Sequence, residues 1–133
     1  MTARLADVTA LADTSLFIAV ERHRRLSQQL PERLSVSIIT LGELRLGVLA
    51  AAAADVRARR LETLSRVEML DPIPIDRRVA SAWAALRLAL RDQSKRMPLN
   101  DSWIAATAIA HRLPVVTQDD DYDGVPNLVV IRV

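Results

Sequence analysis

No cysteine occurs among the 133 residues, which excludes disulfides, thiolate nucleophiles and sulfur-ligated zinc or iron–sulfur centres. Glycine is nearly as scarce. The only three, Gly42, Gly47 and Gly124, form neither a G-x-G-x-x-G dinucleotide fingerprint nor a phosphate-binding P-loop. The aromatics are Phe17, Trp83, Trp103 and Tyr122, too few and too scattered for a base-stacking sheet of the RNA-recognition type. Two histidines, His23 and His111, read as surface residues rather than catalysts, and no serine–histidine–acid arrangement is visible. No apolar run reaches membrane-spanning length, because Arg or Asp interrupts every stretch. Met1 to Ala12 carries Arg4 and Asp7 and lacks the apolar core of a signal peptide, so the expected location is cytoplasmic, with no membrane partner.

What remains is ordinary globular composition, half hydrophobic and a quarter charged, at a length that suits one domain over residues 1–133. A chain of this size buries roughly two-thirds of its unfolded surface, enough for a core without covalent staples. Its charge is uneven. Residues 1–100 hold sixteen basic and eleven acidic side chains, whereas residues 101–133 hold two and five. All the bases except Lys95 are arginine, which suits bidentate phosphate contacts but also follows from a high-GC genome.

Short apolar runs alternate with longer helical stretches, the pattern of an α/β domain with a parallel sheet. Val8–Ala12 reads as a first strand, Thr14 to Glu21 and His23 to Leu30 as a helix pair stopped near Pro31, and Leu34–Ser37 as a second strand. Leu41 to about Leu49 and Ala50 to about Val67 read as helices, the second with Val56, Leu61, Leu64 and Val67 on one stripe. Met69–Ile75, broken by Pro72 and Pro74, suits an edge strand. Arg78 to Asp92 is the clearest helix, with Val79, Trp83, Leu86 and Leu90 on one face. A polar linker closed by Pro98 follows. Asn100 or Asp101 then caps a helix to about Arg112, Leu113–Thr117 is a buried strand, Gln118–Pro126 an acidic loop and Leu128–Ile131 a last strand.

Four acids fall where a strand gives way to a helix or loop: Asp13, Glu43, Asp101 and Asp119. In a parallel sheet the carboxyl ends of the strands share one edge, where ligand sites form, so the four could converge. Each also has a plain structural use. Asp13 and Asp101 are good N-cap residues, Thr40-x-x-Glu43 is a capping box, and Asp119 to Asp123 could be a solvated turn.

Asp13-Thr14-Ser15 after an apolar strand, Glu43-Leu44 followed by Gly47, Asp101-x-x-Ile104-Ala105-Ala106-x-Ala108 and Thr117-x-Asp119-x-Asp121-Tyr122 occur in that order. Together they resemble a PIN-domain nuclease, in the small form similar to the VapC toxins of bacterial toxin–antitoxin pairs. The family often has Phe where Tyr122 stands. The resemblance implies a three-layer α/β/α domain around a central parallel sheet of four to five strands. It also implies an acidic site of Asp13, Glu43, Asp101 and Asp119, with Asp121 second choice for the fourth position. Asp119 is preferred because it lies two residues after Thr117, on the same side if the chain stays extended.

An oxygen-only donor set favours Mg²⁺ or Mn²⁺ over zinc. Such an ion suits phosphodiester hydrolysis, and the resemblance points to RNA cut to a 5′-phosphate and a 3′-hydroxyl. Asp13 and Asp101 would then be the main ligands, Glu43 would complete the site or orient water, and Asp119 would hold a second ion or tune the first. Thr14, Ser15 and Thr117 could fix carboxylate rotamers. Arg22, Arg24, Arg25, Arg45, Lys95 and Arg96 are candidates for phosphate contacts. The two tryptophans read as core or interface residues. The resemblance further implies a homodimer and a VapB-type antitoxin covering the acidic groove, with the stripe from Val48 to Val67 as one place for it. A phosphoryl-receiving signalling domain fits poorly, since the single lysine lies in a linker and no suitable aspartate ends the strand near Ile75. A PIN fold that only binds RNA or protein, and an RNA-processing nuclease without an antitoxin, remain as alternatives.

Overall fold

The computed structural model describes residues 9–133. In chain order it contains β1 (Thr9–Ala12), α1 (Thr14–Glu21), β2 (Arg33–Ser35), α2 (Ile38–Ala50), α3 (Ala54–Glu68), α4 (Arg77–Asp92), α5 (Leu99–His111), β3 (Val115–Thr117) and β4 (Val130–Arg132). Val8, expected to open the first strand, lies outside the described residues.

The four strands form one sheet in the order β2-β1-β3-β4, and every pairing is parallel. From β1 the chain first moves outward to β2, then returns to place β3 on the other side of β1. The boundary between β1 and β3 is therefore a topological switch point, with a crevice at the carboxyl ends of those two strands.

Strand alternation distributes the core between two layers of helices. Leu11 and Val115 point to the face covered by α4 and α5, where they meet Leu86, Leu90, Ile104 and Ala105. Ala10, Ala12 and Val116 point to the opposite face and pack on Leu16 of α1. Phe17 joins that layer to a further cluster in which Val36 and Leu44 meet Leu64 and Val67 of α3. The result is the expected three-layer α/β/α architecture. Ala105, Ala106 and Ala108 of α5 have no exposed surface. Their short side chains let the α5 backbone lie close to its neighbours, and α5 carries Asp101 in its first turn.

Several expected boundaries are corrected. Helix α2 begins at Ile38, capped by Ser37, whose Oγ accepts from Ile39 N at 3.1 Å. The Thr40–Glu43 capping box is thus absent, because Ile38 N already bonds Ile73 O at 2.9 Å and turns the chain before Thr40 is reached. Residues 23–30 form no second helix: His23 takes a left-handed conformation (φ 56°), and the chain runs on irregularly with Leu26 and Leu30 against the sheet. The strand expected over Met69–Ile75 shrinks to one parallel bridge between Ser37 and Ile73. Pro72 and Pro74, on either side of Ile73, have no N–H with which to extend it. Helix α5 begins at Leu99 with Pro98 at its N-cap, so neither Asn100 nor Asp101 caps it.

Candidate functional site

Asp13 leaves β1 at the switch point and occupies the N-cap position of α1, yet its carboxylate makes no cap bond. It is turned the other way. Oδ1 accepts from Ser15 Oγ at 2.6 Å, and Oδ2 accepts from Thr117 Oγ1 at 2.9 Å across to β3. Asp76 shows what a capping aspartate does in this fold, since its Oδ1 accepts from Val79 N at 3.0 Å. Asp76 is a full cap, whereas Asp13 gives its oxygens mainly to hydroxyls, with the Leu16 N–H only slightly favouring its charge.

Thr117 is fully buried and serves two neighbours. Its hydroxyl donates to Asp13 and accepts the Asp119 backbone N–H at 2.9 Å. That second bond closes a hydroxyl-bridged turn, so the chain is not extended from Thr117 to Asp119 as the sequence argument assumed. Ser15 Oγ in turn accepts from Gln118 N at 3.0 Å. These hydroxyls join the first junction to the last.

Glu43 lies in the second turn of α2, and Thr14 Oγ1 approaches its Oε1 to 2.7 Å and Thr40 Oγ1 to 3.1 Å. Thr14 carries one proton, so it donates to the carboxylate at the shorter distance, with Thr40 Oγ1 as its second, longer acceptor. Thr14 thus donates to Glu43, and Ser15 and Thr117 donate to Asp13.

The acids stand close enough to feel one another's charges. Burial pushes the Asp13 carboxyl up to about 6, opposed by its Ser15 and Thr117 bonds and reinforced by the charge of Asp119. Asp101 rises to about 7, first through burial, then through a hydrogen bond with and repulsion from Asp121, then through the charges of Asp13 and Glu43. Asp119 is also raised, by burial and by Asp121 and Asp120, while Arg132 and Arg24 pull against the rise. Asp13, Glu43 and Asp101 are therefore brought together. The loop supplies two further acids from different sides: Asp119 next to Asp13, and Asp121 next to Asp101.

Sequence reasoning missed the role of Tyr122. It is fully buried between these acids and the α4–α5 core. Its hydroxyl turns toward Asp101 but falls short of a well-formed hydrogen bond and stays unpaired. Burial, then the charges of Asp13 and Asp101, push its ionisation far up, so the phenol stays neutral. An aromatic between two aspartates was the only signal available. The tryptophans pair with each other, ring centroids 4.3 Å apart and nearly parallel, and Trp83 Nε1 donates to Ser102 Oγ at 3.0 Å.

Among the described residues, no three acidic or histidine side chains stand close enough to hold one ion by themselves. Oxygen donors that retain protons near neutrality nevertheless suit a hard cation that keeps part of its water shell. Such an ion needs only one or two direct carboxylates, and the donor set here meets that requirement.

Residues 10–128 match the PIN domain family. The chain is 48% identical over 125 residues to "Ribonuclease VapC5" of Mycobacterium tuberculosis, an alignment covering 91% of this chain and 93% of that protein. It is 47% identical over 129 residues to "Ribonuclease VapC4" of the same organism, covering 93% and 96%. Among solved structures it is similar to VapBC-5 from Mycobacterium tuberculosis, a member of the VapBC family of toxin–antitoxin systems. The TM-score is 0.85 at 44% identity, over 95% of this chain and 99% of that one. The carboxylates gathered at the β1/β3 switch point and these matches lead to one conclusion: the chain belongs to the PIN-domain family.

Proposed function

We propose that this chain is an endoribonuclease toxin that hydrolyses RNA phosphodiester bonds with the help of Mg²⁺ or Mn²⁺, arrests translation and growth, and is restrained by a VapB-type antitoxin. The observation that carries the reading is the convergence of Asp13, Glu43 and Asp101 at the sheet's switch point, with Asp13 held by hydroxyls rather than used as a cap. Relatives named as ribonucleases, similar over more than nine-tenths of the chain, support it.

Asp13 and Asp101 would hold the ion, with Glu43 completing the site or orienting the attacking water. Asp119 would be the fourth acid, with Asp121 the competing choice because it neighbours Asp101. When bound, the ion would supply activation of water and neutralisation of charge on the phosphodiester. The chain's own residues do the positioning. Ser15 and Thr117 fix both oxygens of Asp13, and Thr14 fixes one oxygen of Glu43, so these carboxylates cannot turn away when substrate arrives. In-line hydrolysis by water leaves a 5′-phosphate and a 3′-hydroxyl.

For partners, a mostly apolar groove of about 280 Å³ lies beside Glu43, lined by Thr14 and Ile18 of α1 and by Glu43, Leu44 and Leu46 of α2. A helix of the antitoxin could lie there and cover the acidic groove. Leu46 and Leu49 of α2 are 66% and 74% exposed and add apolar surface for a partner or a second copy in a homodimer. No helix among the described residues is long and apolar enough to cross a membrane, in keeping with a cytoplasmic role.

The test is cleavage of total cellular RNA by purified protein with Mg²⁺, Mn²⁺ or EDTA, alongside Asp101→Asn. Metal-dependent cleavage is expected for the parent. The variant should lose about a thousandfold or more, because it keeps shape but removes charge needed in the transition state. Folded parent that cuts no RNA with either metal refutes the nuclease and favours a module that only binds RNA or protein.

A further inference from the structure

Behind the acidic loop, α4 ends in a cleft of about 670 Å³ whose walls are Arg87, Arg91, Lys95 and Arg96, over a floor of Leu90 and Met97. Among the described residues, only Arg91 of these four has an acidic partner, Asp92 at 3.8 Å, and both members are largely exposed. Such a pair competes weakly for the guanidinium. The helix end does not account for the cluster. One or two cations suffice near a carboxyl terminus, and the last turn is already closed by the Lys95 N–H on Leu90 O at 2.8 Å.

The cleft adjoins the acids. Lys95 is half-buried, and its Nζ lies 3.3 Å from where a Cβ on Gly124 would sit, in the turn that follows Asp121, Tyr122 and Asp123. Met97 on the floor shares a core cluster with Tyr122, and Leu99, two residues on, begins the helix that bears Asp101. Arg87 is held in place, its guanidinium 5.8 Å above the ring of Trp83, which is itself stacked on Trp103. Across the pocket, Arg24 and Arg132 act on Asp119. Basic groups thus stand near the acidic loop in the α4 cleft and also near Asp119.

We propose that this cleft binds the phosphodiester backbone of single-stranded RNA on one side of the scissile bond, an assignment that rests on the ribonuclease reading above. Unneutralised guanidinium groups along an open groove match a chain of phosphates, and arginine forks suit phosphate oxygens. The volume falls within the range of ordinary ligand pockets, but its cationic walls exclude an apolar ligand. Substrate would gain hold here without bringing cations into the acid pocket itself.

The experiment measures binding of a short fluorescein-labelled single-stranded RNA of mixed sequence by anisotropy, in EDTA so that the strand stays intact, across a salt series. The cleft variant carries Arg87→Gln, Arg91→Gln, Lys95→Gln and Arg96→Gln, which keep most of each stem. A control carries Arg33→Gln, Arg59→Gln, Arg66→Gln and Arg77→Gln, exposed arginines elsewhere with the same change of charge. The cleft variant is expected to bind at least about tenfold more weakly. Its dependence of log Kd on log salt should be shallower by about 2 to 3, given roughly 0.7 per phosphate contact on a single strand. The control should keep most of both. Equal affinity and slope for parent and cleft variant, or equal losses in cleft and control variants, overturn the proposal. Should the fourfold variant fail to fold by circular dichroism, Lys95→Gln with Arg96→Gln gives the same comparison at half the expected effect. Parent that binds RNA through the cleft but cuts none refutes the nuclease alone. Parent that cuts RNA while the cleft variant binds as tightly as the parent refutes the cleft alone.

Discussion

Asp13 should make the fold less stable as pH rises through weak acid, and removing its charge should reverse that. In the folded chain its carboxyl gives up its proton only near 6, against an ordinary 3.8. Between those values the folded state keeps a proton that the unfolded state has lost, so stability falls as pH rises, and by about pH 7 the loss is complete for this group. At about 1.4 kcal/mol per pH unit the total is about 3 kcal/mol. For a chain of this length that corresponds to a fall in Tm on the order of 10 °C. Asp101 extends the decline toward 7, by less than its rise implies because it is partly exposed and screened by water. The assay is Tm by calorimetry in EDTA from about pH 5 to about pH 8, for the parent and for Asp13→Asn. The parent should lose stability across the window while the variant's curve is much flatter and lies above it at the alkaline end. Mg²⁺ should return part of the loss at the alkaline end, by about 2.7 kcal/mol when its concentration reaches a hundred times its Kd. A parent whose Tm is level or rises over that range, or a variant that falls as steeply, refutes the argument that burial of this carboxylate stores the energy.

Two further substitutions probe the supports. Thr117→Val removes the donor to Asp13 and the acceptor of the Asp119 N–H, so it should cost about 1–3 kcal/mol by denaturant unfolding and weaken Mg²⁺ binding by about 10- to 100-fold in calorimetric titration. Unchanged metal binding would show that Asp13 holds its rotamer without it. Tyr122→Phe removes a buried hydroxyl that has no partner, and should raise stability by up to about 1 kcal/mol with RNA cleavage preserved. A loss of cleavage in that variant would instead give the hydroxyl a part in the chemistry.

The candidate acids stood out in the sequence more readily than the course of the loops. Asp13, Glu43 and Asp101 were legible because each sits where an apolar strand pattern changes to a helical one, and a parallel sheet brings such junctions to one edge. Helix α4 was legible from its spacing, and Val79, Leu86 and Leu90 are indeed its buried residues. The start of α2 was not. Ser37 and Thr40 both qualify as caps, and the choice is made by the Ile38–Ile73 backbone bond, a contact between segments far apart in sequence. Residues 23–30 read as a helix stopped near Pro31, but Leu26 and Leu30 pack on the sheet from an irregular chain that Gln28 ties to Arg132 O at 2.5 Å. Whether Asp119 or Asp121 faces Asp101 had no periodic signal at all, because the turn begins at the Thr117 hydroxyl rather than at a residue of strand pattern.

The bond from Thr117 to Asp13 spans 104 residues. The two halves of the pocket are consequently synthesised roughly 5 to 20 s apart at ordinary rates of elongation. A chain still emerging from the ribosome has Asp13 but neither β3 to pair with β1 nor the hydroxyl that fixes the carboxylate. Prematurely terminated products share that defect, and Val133 N adds a last clasp on Thr117 O at 3.0 Å. The pocket therefore cannot form until β3 has been made.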